Sequence, residues 1–313
     1  MTVKIGVSAC VVGQRVRFDG GHKLSAFCQH TLAPLVEFVP FCPEMALGMP
    51  SPRPAIRLMK TALGDIRLVN NKDDSLDYTD AMLALCAEQL PQMQGLAGYV
   101  VCAKSPTCGL ERVRLVDDRG VLLGKIATGL FTHELHKTYP WLPIEEDGRL
   151  LDPGLRESFI TRVYALDAWQ RHMADGFSAG KLVQFHSQYK FVVMAHNPTA
   201  YRELGRLVAN PKLFAETELA KRYLTDFMQA LSTVATRKTH ANVLMHLQGF
   251  FKKVLSSDAK QELLELIHQY RQGHAPLLAP LTLLKHHLRL NPHDYVAAQR
   301  YLQPYPAQLG LQA

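Results

Sequence analysis

No stretch of the 313-residue sequence approaches eighteen consecutive apolar residues, so no bilayer-spanning helix and no membrane partner are expected. Cysteine is missing from the whole second half. All six, Cys10, Cys28, Cys42, Cys86, Cys102 and Cys108, precede residue 109, and none repeats at a C-x-x-C spacing. In a chain this large without a signal peptide, that pattern speaks against a disulfide framework. Val7-Ser8-Ala9-Cys10 resembles a lipoprotein cleavage box, but too little chain precedes it for a charged region and an apolar core. The expectation is a cytoplasmic protein that opens on a strand. Internal repeats and low-complexity tracts are also absent, and 47% hydrophobic with 20% charged residues excludes extended disorder.

The net charge of +7 is unevenly placed. Residues 1–150 carry 16 Lys+Arg against 16 Asp+Glu, whereas residues 151–313 carry 19 against 12 and hold ten of the fourteen histidines. A neutral first half and a basic second half suit a reaction domain joined to a module for a polyanion, although a solvated basic face is the commoner meaning of such an excess.

Taken in order, Val3–Ala9 reads as a first strand ending at Cys10, followed by a loop rich in Gly and basic residues. His22–Glu37 is helical in pattern up to Pro34, and Val36–Val39 reads as a second strand running into Cys42. Residues 45–63 carry Gly48, Pro50, Pro52 and Pro54 and are expected to form a rigid loop offering Arg53, Arg57 and Lys60 to an anion. Ile66–Val69 is a candidate edge strand and Tyr78–Leu90 a helix. Tyr99–Cys102 is a buried strand stopped by Ser105-Pro106 and Gly109, which leaves Cys108, Ser105 and Lys104 at its carboxyl end. Residues 110–125 read as a hairpin-like excursion and Gly129–Tyr139 as a helix, so the first half is α/β. Glu145-Glu-Asp-Gly148 reads as a linker, giving domains 1–148 and 149–313. Beyond it, segments 156–173, 181–195, 200–208, 216–235, 239–255, 259–270, 280–290 and 293–302 have helical spacing and no strand pattern, which predicts an all-helical second domain. In the fifth segment Leu244, Leu247, Phe251 and Val254 form the expected buried stripe.

Cys10, Cys42 and Cys108 share one predicted position, just past a strand, and in open α/β sheets that edge binds ligands. Three thiols delivered there suit an iron–sulfur cluster or zinc; as isolated residues, cysteines are more often small buried hydrophobes, and Cys28, Cys86 and Cys102 are read that way. In the second half, His186 and Lys190 can share one helix face, and Lys285, His286 and Arg289 another, in a pattern suited to RNA phosphates. Solvated faces or a domain interface explain those stripes nearly as well.

Ser8-Ala-Cys10, Arg17-Phe-Asp-Gly20, Cys42-Pro-Glu44 and Ser105-Pro-Thr-Cys-Gly109 together closely resemble the thiouracil desulfidase (TudS) family. Phe185–Lys190, Met194–His196, Asn242–His246 and Thr282–His287 resemble the YbgA-type helical domain that follows it in RudS-type transfer RNA 4-thiouridine desulfidases. Thr107, where the family often has Ser, is a mild departure. The resemblance implies a Rossmann-like three-layer first domain in which Cys10, Cys42 and Cys108 hold a [4Fe-4S] cluster with one iron free of protein ligands. It implies a non-redox, hydrolytic C–S cleavage of 4-thiouridine in tRNA, with Glu44 as base or acid and Ser105 orienting water or relaying a proton. Asp19 and Lys104 are candidates for substrate contact, and Asp19 is equally an ordinary turn former. No obligate protein partner is expected. Two alternatives stand beside this: a desulfidase of free thiouracil or thionucleosides whose helical domain serves oligomerisation, and a metal-containing RNA-binding protein without turnover.

Overall fold

Ile5–Val7 and Tyr99–Val101 are apolar and buried on both faces, as strands covered from two sides must be, and they lie side by side at the centre of a parallel sheet. The structure is a computed structural model describing residues 2–310, and it divides into two compact units, one ending at Arg156 and one beginning at Glu157. In the first, the strands are β1 (Val3–Ser8), β2 (Val36–Phe41), β3 (Ile56–Lys60), β4 (Ile66–Asn70), β5 (Gly98–Val101), β6 (Val113–Asp117), β7 (Leu122–Ala127) and β8 (Ile144–Glu146). They form two four-stranded sheets, of order β2-β1-β5-β8 and β4-β3-β6-β7. The first is wholly parallel, with Val3 opposite Val36 and Val7 opposite Val100. The second is mixed, β3 pairing in parallel with β6 and antiparallel with β4. Helices α1 (Pro43–Ala46), α2 (Thr79–Gln89) and α3 (Leu130–Thr138) complete this α/β unit.

Three expectations are corrected here. The proline-rich stretch does not stay a loop to residue 63: β3 forms at Ile56, past the last proline, once the chain is free to donate to a ladder. The acidic run Glu145–Asp147 is no linker. It forms the end of β8 and the residue after it, all buried, because each carboxylate meets donors: nearby Arg149 on Glu145, and from farther along the chain the Leu110 and Glu111 amides on Glu146 and Lys23 with the Ala103 amide on Asp147. Between His22 and Pro34 only a short wide turn, Phe27–Leu32, is helical.

The second unit is all helical: α4 (Pro153–His172, entering from the first unit), α5 (Ala179–His196), α6 (Pro198–Ala209), α7 (Glu216–Ser232), α8 (Arg237–Gly249), α9 (Ser257–Gln272), α10 (Leu278–Leu290) and the short α11 (Asp294–Ala297). Ser178, Asn197 and Ser256 cap α5, α6 and α9 with side-chain oxygens, and Thr236 with Thr239 forms a reciprocal capping box on α8. The core is aromatic: Trp169 stacks on Tyr223, Phe185 on Tyr189, and Tyr223 on Phe227. Two readings fail locally. Because α8 stops at Gly249, Val254 falls out of register and is exposed while Leu244, Leu247 and Phe251 are buried. Residues 293–302 yield only α11 and a single turn at Arg300–Leu302, not one helix.

Candidate active site

Since β2, β1 and β5 are neighbours in that order, the residues that follow them meet at one edge of the sheet. β1 runs into a single turn, Ala9–Val12, that carries Cys10. β2 leads to Cys42, the residue before α1, and β5 to the turn that carries Cys108. All three thiols line one cavity of about 580 Å³, together with Cys102, Glu44, Ser105 and Arg53.

The Cys108 turn is held from two sides. Ser105 Oγ accepts from the amides of Thr107 at 3.3 Å and Cys108 at 3.1 Å. The start of α3 clamps its outer side: Gly129 N–H donates to Gly109 O at 2.7 Å, Leu130 N–H to Pro106 O at 3.1 Å, and the Thr132 hydroxyl to Cys108 O at 2.6 Å. A Cβ on Gly129 would fall 2.5 Å from the Thr107 carbonyl, so the approach needs glycine.

Glu44, in the first turn of α1, is buried against this turn. The Thr107 hydroxyl donates to its Oε1 at 2.5 Å and the Cys42 thiol to its Oε2 at 3.2 Å, while Arg53 Nη2 stands 3.9 Å from Oε2. Arg53 is itself fixed by the carbonyls of Val16 at 3.0 Å and Pro50 at 3.2 Å. A hydroxyl has one proton, and Thr107 uses its own on Glu44. Its 2.9 Å bond to Ser105 therefore has Ser105 as donor, and the three groups form a directed chain from Ser105 through Thr107 to Glu44. Ser105 lines the cavity, and Thr107 is fully buried behind it.

Burial and mutual proximity keep the thiols protonated. Cys10 is raised by its hydrogen bond with Cys102, then by burial and the other cysteines; Cys42 is pushed up to about 12 by burial and then by Glu44; Cys108 is raised by burial and then by Glu44. Cys102 moves the other way, lowered by the Cys10 hydrogen bond and by Lys23 and Arg17, whose Nη1 is 3.8 Å from its sulfur. Tyr99, fully buried, is raised above the ordinary tyrosine value by burial, and its hydroxyl has no hydrogen-bond partner. Among the described residues no three His, Cys, Asp or Glu side chains are grouped to hold a single metal ion. Cys10, Cys42, Cys102 and Cys108 are the thiols that line the cavity, and soft donors of this kind suit a thiophilic group.

Asp19 and Lys104 both line the same cavity. Asp19 is exposed and closes a turn by accepting from Gly21 N–H at 3.0 Å, a bond that, ahead of nearby Arg17, holds its carboxyl below the usual range. Lys104 is exposed, with a left-handed backbone at φ 66°. The five candidate RNA-binding residues do not share one surface. His186 and Lys190 line a groove beside α5 and α6, Lys285 lines a cavity with Tyr164, Arg171 and Arg300, and His286 and Arg289 face a third hollow beside α9. His186 hydrogen-bonds the Tyr223 hydroxyl at 3.0 Å, and burial pushes it down to about 4, so it is neutral.

Three groups in or behind this cavity carry no sequence signal that was read as functional. Thr107 gives no signal of its own, because its role depends on Glu44, 63 positions away. Ser8 likewise acts at long range, accepting from Cys102 N–H at 3.0 Å. Cys102 was legible: it directly follows β5, the same position that singles out Cys10 and Cys42, and it is no inert hydrophobe but a fourth thiol of the cavity.

Residues 5–147 match the family described as 2-thiouracil desulfurase, and residues 190–306 match one described as a protein of unknown function, DUF1722. The chain is 36% identical over 156 residues to the uncharacterized protein YbgA of Escherichia coli strain K12, covering 50% of this chain and 92% of YbgA. Among solved structures it is similar to the [4Fe-4S]-dependent thiouracil desulfidase TudS, at 29% identity over 48% of this chain and 94% of that one, with a TM-score of 0.38.

Proposed function

The chain belongs to the family of YbgA and its residues 5–147 form a 2-thiouracil desulfurase domain, and from that premise we propose that it hydrolytically removes sulfur from 4-thiouridine in transfer RNA. The observation that carries this reading is the pairing, in one cavity, of three thiols from three strand ends with a buried carboxylate wired to two hydroxyls. Cys10, Cys42 and Cys108 fit a [4Fe-4S] cluster: they are soft donors, too dispersed for a single ion, and the buried Tyr99 hydroxyl has no hydrogen-bond partner. Bound there, the cluster supplies an electrophilic, sulfur-seeking iron to the thiocarbonyl.

The remaining chemistry belongs to the side chains. A cysteine that becomes a ligand gives up its proton, so Cys42 no longer donates to Glu44, and Oε2 is left to accept from water. Glu44 takes the proton of the water that adds at the thiocarbonyl carbon. Arg53 and Thr107 hold the carboxylate in place while this occurs. The chain of hydroxyls then delivers a proton in the reverse sense, from Glu44 through Thr107 to Ser105, whose Oγ faces the cavity and protonates the collapsing adduct. A C–O bond forms, the C–S bond breaks, sulfur leaves as hydrosulfide, and no net electrons are exchanged.

RNA as substrate is supported by charge, since the basic excess lies wholly in residues 151–313, which a free base does not need. A base stacked in folded RNA must be extruded to reach such a cavity. Free 4-thiouridine is the second reading, favoured by a volume of about 580 Å³ that accommodates one nucleoside. The test is anaerobic cluster reconstitution followed by incubation with thiolated tRNA and with free 4-thiouridine, recording the fall of thiocarbonyl absorbance and the release of sulfide. Turnover of the tRNA is expected; a cluster-loaded protein that desulfurates neither substrate sinks the proposal.

A further inference from the structure

β1 and β5 bring two thiols to one place in the cavity. Val7 pairs with Val100 across these strands, and the same register carried two residues further sets Ala9 opposite Cys102, with Cys10 one step beyond. Ser8 Oγ, accepting from Cys102 N–H at 3.0 Å, ties the two segments together there. Neighbouring strands are about 4.8 Å apart and rise about 3.3 Å per residue, so a diagonal pair of Cα atoms is separated by about 6 Å, inside the window of about 4.4–6.8 Å that a disulfide bridges. The side chains meet accordingly, and Cys10 and Cys102 share a hydrogen bond. Cys42 and Cys108 have oxygen neighbours instead, Glu44 Oε2 at 3.2 Å and Thr107 Oγ1 at 3.6 Å. All six cysteines are free thiols.

While Cys10 is a ligand its sulfur is committed; in a chain that has lost the cluster it stands bare beside a second thiol. We propose that Cys102 is the resolving thiol of Cys10: in the cluster-free chain a peroxide oxidises the pair to a Cys10–Cys102 disulfide, which withholds Cys10 from iron until a dithiol reduces it. The inference rests on the reading of the cavity as the seat of a cluster. Cys102 sulfur attacks one peroxide oxygen, the O–O bond breaks, and a sulfenic acid forms as water leaves. Cys10 sulfur then attacks that of Cys102, the S–S bond forms and a second water leaves. Two thiols and one peroxide thus give one disulfide and two waters. Arg17, with Nη1 3.8 Å from Cys102 Sγ, is the donor placed to hydrogen-bond the departing oxygen. The bridge also spares Cys10, because a sulfenic acid that condenses with a thiol is recoverable, whereas one without a partner goes on to sulfinic acid, which dithiols do not restore.

The test reads thiols and iron, apart from turnover. The full chain, cluster-free, reduced and then freed of reductant, is treated with excess hydrogen peroxide, alkylated, digested and analysed by mass spectrometry. A second portion is reduced with dithiothreitol after the peroxide and reconstituted with iron and sulfide. The wild-type chain is expected to give a linked pair of peptides carrying Cys10 and Cys102, and after dithiothreitol to bind as much iron as the untreated protein. C102S is expected to match the wild type in its thermal melt and in iron bound without peroxide. After peroxide its Cys10 should carry two added oxygens, and dithiothreitol should restore less than half of the iron. A Cys10 linked to any other cysteine, a Cys10 still open to alkylation after peroxide, or a C102S that recovers iron as fully as the wild type each overturns the proposal and leaves the desulfidase reading intact. Failure of the untreated, reduced wild type to bind iron overturns the cluster reading and with it the role given to the disulfide, whose linkage the mass spectrum still reports.

Discussion

Replacing Thr107 by Val removes one oxygen and keeps the shape of a side chain that is fully buried. In the native protein that oxygen donates to Glu44 Oε1 at 2.5 Å and accepts from Ser105 at 2.9 Å. A hydrogen bond to a charged group contributes about 1.5–3 kcal/mol, and a buried carboxylate oxygen stripped of its donor loses a comparable amount. If the bond serves to fix Glu44 and to carry its proton to Ser105, that loss falls on the transition state, and at 1.36 kcal/mol per decade the rate should drop by about 10- to 150-fold. Thr107→Ser keeps the hydroxyl and gives up one buried methyl, about 0.8 kcal/mol of stability with the relay intact. The assay is the initial rate of thiocarbonyl loss under anaerobic conditions, normalised to iron and acid-labile sulfide in each preparation. Wild-type turnover by cluster-loaded Thr107→Val would refute the relay, as would Thr107→Ser being as slow as Thr107→Val at equal iron content.

Glu44→Gln keeps the contacts with Thr107 and removes the base, so turnover should fall by about 10²–10⁴ with iron content unchanged; an active Glu44→Gln would move the general base elsewhere. Cys10→Ser, Cys42→Ser and Cys108→Ser should each reduce iron bound after reconstitution, and Cys102→Ser should retain it, a set read by iron analysis and overturned by the reverse pattern. Gly129→Ala should destabilise the first unit by about 1–3 kcal/mol in chemical denaturation, because its Cβ meets the Thr107 carbonyl; an unchanged midpoint would mean that the clamp is slack. His186, His196 and His240 are each held at about 4 by burial, below the ordinary value of 6.5. The unfolded chain therefore binds more protons than the native one between those limits, and stability, full above pH 6.5, should be lost progressively as pH falls toward 4. Melts from pH 7 to pH 4.5 check this, and a flat profile contradicts it.

The parts of the fold that were legible are those in which neighbours in sequence decide the outcome. Ile5–Val7 and Tyr99–Val101 are apolar whatever surrounds them, and both became central parallel strands with cysteines past their ends. The helical half was legible from spacing alone except at Val254, where a helix end at Gly249 breaks the register, and over residues 293–302, which break into α11 and a single turn. What was hidden depends on partners far along the chain. Glu145–Asp147 reads as solvent-loving, yet it is buried because Lys23 lies 124 positions from Asp147 and the Leu110 amide lies 36 from Glu146. The same holds for Thr107, whose hydroxyl matters only once α1 has brought Glu44 to it. Cys102 was misread for a different reason: its position past β5 was visible, and the assumption that a cysteine between strand and turn is filler concealed it.

The position of β8 bears on the order in which the molecule is made. It is the last strand of its sheet, it joins β5 at the edge, and Asp147 just beyond it ties Lys23 at 3.0 Å and the Ala103 amide at 2.8 Å. During synthesis, at roughly 5–20 residues per second, the strands bearing Cys10, Cys42 and Cys108 are translated seconds before that tie exists. Lys23 and Ala103, which line the cavity, thus gain their shared partner Asp147 only after all three cysteines have been translated.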